Sequence, residues 1–436
     1  MEANELKPTA QKRNLKTEAI AGITTFFTMA YIVVVNPQII SAGGKTGMAF
    51  SGVLTATVLI CFLMTLLMGL YAKLPFAVAP GMGINAFFTY TIILGAGVPW
   101  PTALGIIFWA GVLFLLISIT PVRESIAKAI PAELRIAAAA GIGVFLTFIG
   151  LKNAGFIVSD PVTFVKLGSL GKPALLAIAG VAVAAFLMAR KSAFAFLVSI
   201  AVVTLAAWGF GMVTRPPQFF SLPDFTSVFL KLDIPGALKL SLLPAIVAVM
   251  FTDLFDSIST FIGVAHAGDL LDKEGHPKNL RQGLIVDSFA TLGAGLAGTS
   301  SGTAYIESVA GIRMGGRTGL TSVVTALCFL PCFFIAPIAG MVPPFATAAV
   351  LILVGAAMFT SIGKIDFSKI EEGVPAFLTL ILIPLTFSIT QGILWGFISH
   401  VGLYLMVGRR RDIHPVMYAL ALVSIGLLVL ERVKFS

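Results

Sequence analysis

Charge is scarce in this chain. Asp, Glu, Lys and Arg make up 11% of its 436 residues and the mean hydropathy is +1.00, whereas an ordinary soluble domain carries about 25% charged residues. That scarcity excludes a water-soluble globular protein. Apolar runs close to the length a helix needs to cross a bilayer, about 20 residues, fill nearly the whole sequence and leave no room for a separate soluble domain. Cysteine is sparse too: Cys61, Cys328 and Cys332 all lie inside apolar runs, which assigns them to packing rather than to a disulfide framework or a metal site. The four histidines argue against a histidine centre. His266, His276 and His414 fall at a segment end or in basic loops, and His400 lies in an apolar helix without an adjacent acid. No A-x-A cleavage site follows the first apolar run, residues 19–40, which is too long for a signal peptide and reads as an uncleaved first helix. The Tyr-Asp and Gly-x-Gly-Asp phrases of intramembrane aspartyl proteases are missing as well, so the chain reads as a transporter rather than an enzyme, with no cofactor.

What is present is a regular alternation of apolar runs and short polar turns. Spans are expected near 18–40, 49–72, 76–93, 101–121, 133–151, 172–189 and 193–213, then, after a Pro-rich connection at 214–238, near 239–266, 282–298, 301–312, 318–340, 345–362, 374–389 and 391–408. A basic turn and a last apolar stretch occupy 409–436; whether that stretch crosses the membrane is left open by its sequence. The net charge of +9 lies in the turns and not along one face, so it reports topology and not nucleic-acid binding. With residues 1–17 in the cytoplasm, Lys73, Arg123, Lys128, Arg190, Lys191, Lys273, Lys278, Arg281, Arg313, Arg317, Lys364, Lys369 and Arg409 to Arg411 fall on that side. Fewer basic residues fall outside, which is the positive-inside bias. Seven spans in each set make the second enter the membrane from the opposite side to the first, the requirement for an inverted repeat.

The third and tenth spans share a grammar. Ala77-Val-Ala-Pro-Gly-Met-Gly-Ile-Asn-Ala-Phe-Phe88 and Gly298-Thr-Ser-Ser-Gly-Thr-Ala-Tyr-Ile-Glu307 are short and interrupted by Gly or Pro. Irregular backbone at membrane depth is tolerated only where protein or a wet cavity satisfies its polar groups, and half-helices starting there aim free N–H groups at a ligand. Asp253 and Asp256, three residues apart on the eighth span, and Glu307 in the tenth are ionisable groups at bilayer depth, which cost roughly 2.5–3.5 kcal/mol even on lenient scales and mark a transport site. Two carboxylates that close repel, so proton binding is natural. Asp287, nearer a basic loop, reads as structural. Asn85 can equally read a heterocycle edge or orient a backbone loop. Lys and Arg are expected to stay out of the span interiors, which leaves a proton or another cation as the counter-charge.

These phrases, with Ala19-Ile-Ala-Gly-Ile-Thr-Thr25, Asn36-Pro37-Gln38, Phe251-Thr-Asp-Leu-Phe-Asp256, Ala304-Tyr-Ile-Glu-Ser308, Gly315-Gly-Arg-Thr-Gly319 and Arg409-Arg-Arg-Asp-Ile-His-Pro-Val-Met417, resemble the AzgA-like branch of the nucleobase/ascorbate transporter superfamily from about residue 15 to 430. The resemblance implies an all-α polytopic membrane protein of fourteen segments in two inverted seven-segment repeats, 18–213 and 239–408. Core parts 18–121 and 239–340 would move against gate parts 133–213 and 345–408. It further implies proton-coupled import of hypoxanthine, guanine or adenine, with sodium in place of the proton as the less favoured alternative. Substrate would be bound by Asp256, Glu307, Asn85, Asp253, Thr303, Ala304 and Gly83, and the proton by Asp256, Glu307 and Asp253. The expected partners are a nucleobase, the lipid bilayer of the cell membrane and, for assembly, a second copy of the chain. One departure is Asp256-Ser-Ile-Ser-Thr260, where relatives commonly carry Gly before the Thr; the added hydroxyl bears on selectivity among purines. Xanthine or uracil permeases and sulfate-type anion carriers are the alternatives of the same architecture, the latter disfavoured by acids where an anion would sit.

Overall fold

A computed structural model describes residues 14–120, 129–268, 270–271 and 277–433, the last four by backbone only. Residues 1–13, Arg123, Lys128, Lys273 and His276, assigned above to the cytoplasmic side or to loops, lie outside it.

All fourteen segments are found within a few residues of their expected bounds. Segment 1 is two helices, Leu15–Met29 and Ile32–Ser41, joined at a turn at residues 30–31, and segment 2 is Phe50–Leu67 extended by a wider π-type turn, Met68–Ala72. Segment 3 begins as a strand, β1 (Val78–Pro80), and becomes helical from Met82–Ala86 through the π-type turns Phe87–Gly95. Segments 4 and 5 are Trp100–Ile119 and Ala132–Asn153, followed by an exposed hairpin of β2 (Ile157–Asp160) and β3 (Phe164–Leu167). In that hairpin an ion pair with Lys166, then the turn amides of Thr163 and Val162, pull the Asp160 carboxyl down to about 2. Segments 6 and 7 are Lys172–Ala189 and Ala195–Gly209; segments 8 and 9 are Leu243–Ala267 and Leu280–Ala297. Segment 10 repeats the plan of segment 3, a strand β4 (Gly302–Ala304) followed by the short helix Ser308–Arg313. Segment 11 starts as Gly319–Phe329 and ends in short turns, and Pro344–Phe359, Ile370–Thr386 and Ile389–Met406 form segments 12 to 14. The last apolar stretch is a helix, Pro415–Val433, packed on segments 14 and 8.

Four short strands among the described residues therefore modify the all-α expectation. Eight of the described helices are by themselves long and apolar enough to cross a membrane. Segments such as 3, 10 and 11 miss that mark because their helices are interrupted, and segment 13 stops at 17 residues. Packing sorts the segments into two groups. Segments 1, 2, 4, 8, 9, 10 and 11 pack chiefly on one another, segment 1 on 10 and 11, and segment 9 on 2 and 4, with β1 and β4 between them. Segments 5, 6, 7, 12, 13 and 14 form the second group, with segment 5 against 12, 13 and 14. Small residues let these helices approach closely: a Cβ at Gly143 on segment 5 would lie 2.6 Å from the Gly355 carbonyl on segment 12. Between the groups, the Thr347 hydroxyl donates to Gln38 Oε1 (2.9 Å), Gln38 Nε2 donates to the Val342 carbonyl (2.5 Å), and the Thr91 hydroxyl donates to the Phe387 carbonyl.

Candidate substrate site between the broken segments

The two strands that interrupt segments 3 and 10 pair antiparallel with each other, Val78 opposite Ala304, Ala79 opposite Thr303 and Pro80 opposite Gly302. Segment 3 cannot stay helical here because Pro75 and Pro80 remove backbone donors and clash with a preceding turn. Segment 9 ends at Gly298, whose φ of +99° suits glycine, and the chain then extends through Thr299-Ser300-Ser301 into β4. A Cβ at Gly302 would meet Ala290 Cβ at 2.7 Å, so the strand lies almost directly on segment 9.

A two-stranded ladder has two outer edges, and at membrane depth each must be satisfied by protein. On the β1 side, Thr65 of segment 2 does both jobs: its hydroxyl accepts from Val78 N (2.9 Å) and donates to the Val78 carbonyl (3.0 Å). The Ser308 hydroxyl accepts from Ala77 N (3.0 Å). On the β4 side, the Asp287 carboxylate accepts from Ala304 N (3.1 Å), Ser257 lies 3.2 Å from the Thr303 hydroxyl, and Thr291 reaches both the Gly302 carbonyl (3.1 Å) and Asp253. Asn36 of segment 1 donates to Thr57 (2.7 Å) and Thr299 (2.8 Å), and the Ser300 hydroxyl donates to Asn85 Oδ1. Side chains from both halves thus hold the crossing point rigid.

Two adjoining cavities lie against this crossing, about 40 Å³ in the first and about 90 Å³ in the second. Gly81, Gly83, Asp256 and Met358 line both. Thr303, Ala304, Tyr305 and Glu307 line the second with Tyr31, so Asp256 from segment 8 and Glu307 from segment 10 share one space. Val354 and Met358 of segment 12 close it from the second group of segments. Glu307 precedes the first residue of its short helix and accepts from the Tyr31 hydroxyl (2.7 Å). Asp256 is half-buried and has no hydrogen-bond or ion-pair partner among the described residues. The first amides of a helix have no acceptor within it, and Met82 and Gly83, which open the helical part of segment 3, both line the second cavity. Acceptors for a ligand's N–H groups and donors for its carbonyl or ring nitrogens therefore meet in one place, beside apolar surface from Phe255, Ile142, Val354 and Met358.

Of the residues singled out from sequence, Asp256, Glu307, Thr303, Ala304 and Gly83 come together here. Asp253 and Asn85 do not line either cavity; both are fully buried and engaged in the scaffold behind the strands, each with one polar atom, Asp253 Oδ1 and Asn85 Nδ2, lacking a partner among the described residues. Four contributors went unread in the sequence: Tyr31, Thr65, Thr291 and Arg135. Hydroxyls are common enough in membrane helices to carry no signal, but Tyr31 was one aromatic hydroxyl in an otherwise apolar run. Arg135 is a basic residue at the end of a span and not in its interior. It lies within the first turn of segment 5 and lines the first cavity together with Asp256.

Comparison with known proteins agrees with this architecture. The profile of the permease family Xan_ur_permease matches residues 16–394. A putative permease of Methanocaldococcus jannaschii is 46% identical over 412 residues, covering 94% of each chain. The adenine permease AdeP of Escherichia coli is 44% identical, covering 94% of this chain and 92% of its own. The guanine/hypoxanthine permease PbuO of Bacillus subtilis is 38% identical, covering 94% and 96%. Among solved structures, the transmembrane domain of the cyanobacterial bicarbonate transporter BicA superposes with a TM-score of 0.65 at 17% identity, over 88% of this chain and 98% of that one, a likeness of fold alone.

Proposed function

The chain belongs to the permease family, and on that premise we propose that it imports purine nucleobases, hypoxanthine, guanine or adenine, across the cell membrane by proton symport. The observation that carries this reading is the shared cavity: Asp256 and Glu307, from segments 8 and 10 of the second half, line one space beside the strands through which the two halves pair. A purine suits it. Ring N–H groups donate to the two carboxylates, carbonyl and ring nitrogens accept from the amides at Met82 and Gly83, and the flat faces lie on Phe255 and Met358. Asp256 and Glu307 line the substrate space and are the acids a proton would neutralise during the crossing, and Asp253 lies one helical turn behind. Sodium in place of the proton is the weaker alternative.

The two groups of segments supply the transport step: segments 1 to 4 and 8 to 11 act as a core that carries the site past a gate of 5 to 7 and 12 to 14 in an elevator-like movement. In this reading the N-terminus is cytoplasmic and the chain is a multi-pass protein of the plasma or inner membrane. An anion carrier of the same fold is the weaker reading, because two acids line the space an anion would occupy. The test is uptake of labelled hypoxanthine by a purine-transport-deficient cell expressing the chain, challenged with each unlabelled base. Competition by purines is expected. Failure of every purine to compete, with uracil or sulfate succeeding, contradicts the reading.

A further inference from the structure

A third cavity lies apart from the substrate site. It holds about 210 Å³, more than the two beside the paired strands together. Phe87 and Thr91 of segment 3, Ser241 and Leu242 at the start of segment 8, and Ser388 and Thr390 at the start of segment 14 line it. It therefore sits on the seam between the proposed core and gate, where the Thr91 hydroxyl donates to the Phe387 carbonyl. In the topology proposed above, that end of the seam faces outside. Phe87 follows Gly83 of the substrate site by four residues, about 6 Å along a helix, so one turn of segment 3 separates the two linings. Polar groups without partners point to a ligand. Thr390 is 4% exposed, and its hydroxyl has no hydrogen-bond partner among the described residues. The Ser388 hydroxyl accepts from Gln391 N (3.4 Å) and donates to no group among them. Segments 8 and 14 both begin here, and the first amides of a helix have no acceptor within it. No acid or base lines the cavity among the described residues.

We propose that this cavity is an outer waiting site, in which a neutral purine nucleobase is held while the core stands where it does in this structure. The inference rests on the import reading proposed above and adds a second stop on the substrate's path. Donors match the ligand: the hydroxyls of Thr390 and Ser388 and the first amides of segment 14 meet its carbonyl and ring nitrogens. Apolar surface from Phe87 and Leu242 receives its flat faces. The volume equals that of about seven liquid waters, room for one bicyclic base. An ion would lie here without an opposite charge, at a cost the lining does not offset. The position gives the site its use. Ser388 and Thr390 belong to the gate, whereas Gly83, Asp256 and Glu307 belong to the core. Outward movement of the core separates Thr91 from Phe387 and brings Gly83 to the level of Ser388 and Thr390. The base then passes from the gate hydroxyls to the core acids without returning to water.

Equilibrium binding of labelled hypoxanthine to the purified full chain tests this without transport. The parent protein is expected to bind two molecules per chain. The double variant Asp256→Asn, Glu307→Gln should bind one, because only the outer site remains. Either single variant serves the same purpose if the double one does not fold. Adding Thr390→Val or Ser388→Ala should weaken the remaining binding about three- to tenfold. Unlabelled guanine or adenine should displace the remaining label, and sulfate should not. Loss of all binding in the acid variants, remaining binding that neither hydroxyl substitution alters, or displacement by sulfate overturns the proposal. One molecule bound by the parent and none by the acid variants removes the outer site and leaves the import reading standing. A parent that binds no purine contradicts the import reading and the outer site with it.

Discussion

The side chains at this crossing divide into those that face the cavity and those that hold the backbone, and the two sets respond differently to substitution. Asp256 and Glu307 face the cavity. Glu307→Gln and Asp256→Asn are expected to abolish accumulation of labelled purine while leaving the protein in the membrane at parental levels; proton-dependent uptake at the normal rate in either variant removes that residue from the mechanism. Tyr31 tests the same point more gently. Its hydroxyl is the side-chain donor to Glu307, and a hydrogen bond to a charged group is worth about 1.5–3 kcal/mol. Tyr31→Phe keeps the ring, so purine affinity should weaken roughly tenfold or more, measured as the concentration giving half-maximal uptake; an unchanged value would mean Glu307 does not touch substrate. The acids were legible in the sequence because an ionisable group at membrane depth is rare enough to carry a signal by itself. Tyr31 and Thr65 were not, because a hydroxyl costs little in a helix and acquires meaning only from what the fold places beside it. Arg135 was passed over for a similar reason: a position one turn into a segment reads as a headgroup contact until the cavity beside it is seen.

Among the elements, β1 and β4 carry the most function per residue. Three residues each are enough to span the crossing because their outer edges are finished by side chains: Thr65 for β1, and Asp287 and Thr291 for β4. The interruption of segments 3 and 10 could be anticipated from Pro80, Gly81 and the Gly298–Gly302 stretch. Their pairing could not, since it joins residues more than 200 positions apart and has no local pattern. Asp253 and Asn85 illustrate the same limit: sequence spacing puts them near the site, and the fold turns them onto the scaffold behind it. Thr65→Val removes a hydroxyl that serves both polar groups of Val78 and replaces it with a methyl of similar shape. Each buried group left unpaired costs about 1–3 kcal/mol, so the purified variant should unfold at a clearly lower temperature in a thermal-shift assay. An unchanged midpoint would show that water or another group takes over the edge.

For the molecule as a whole, the decisive feature is that two separately packed groups of segments meet along the cavity. Gln38, Val342 and Thr347 link them at one end, as do Thr91 and Phe387. If the core carries the site past the gate, these contacts break in every cycle. In a background with Cys61, Cys328 and Cys332 replaced, cysteines at Gln38 and Thr347 joined by a short bifunctional methanethiosulfonate, which forms a reducible disulfide with each thiol and releases sulfinate, should stop uptake. Cutting the link should restore it, and undiminished uptake through the linked protein would rule out relative movement at this contact. Segment count, inverted order and the two broken segments were all readable from hydropathy and Gly or Pro placement, because each is a property of a run about 20 residues long. The division into two groups was available through family resemblance, since which helices touch is settled by packing between distant parts of the chain.

The most direct test is the structure of the protein determined with guanine or hypoxanthine bound. Density for the base is expected in the space lined by Asp256, Glu307, Met82 and Gly83, with its N–H edge within hydrogen-bonding distance of both carboxylates. Base density at a site lined by neither acid, with side chains 256 and 307 unchanged by its presence, would contradict the assignment.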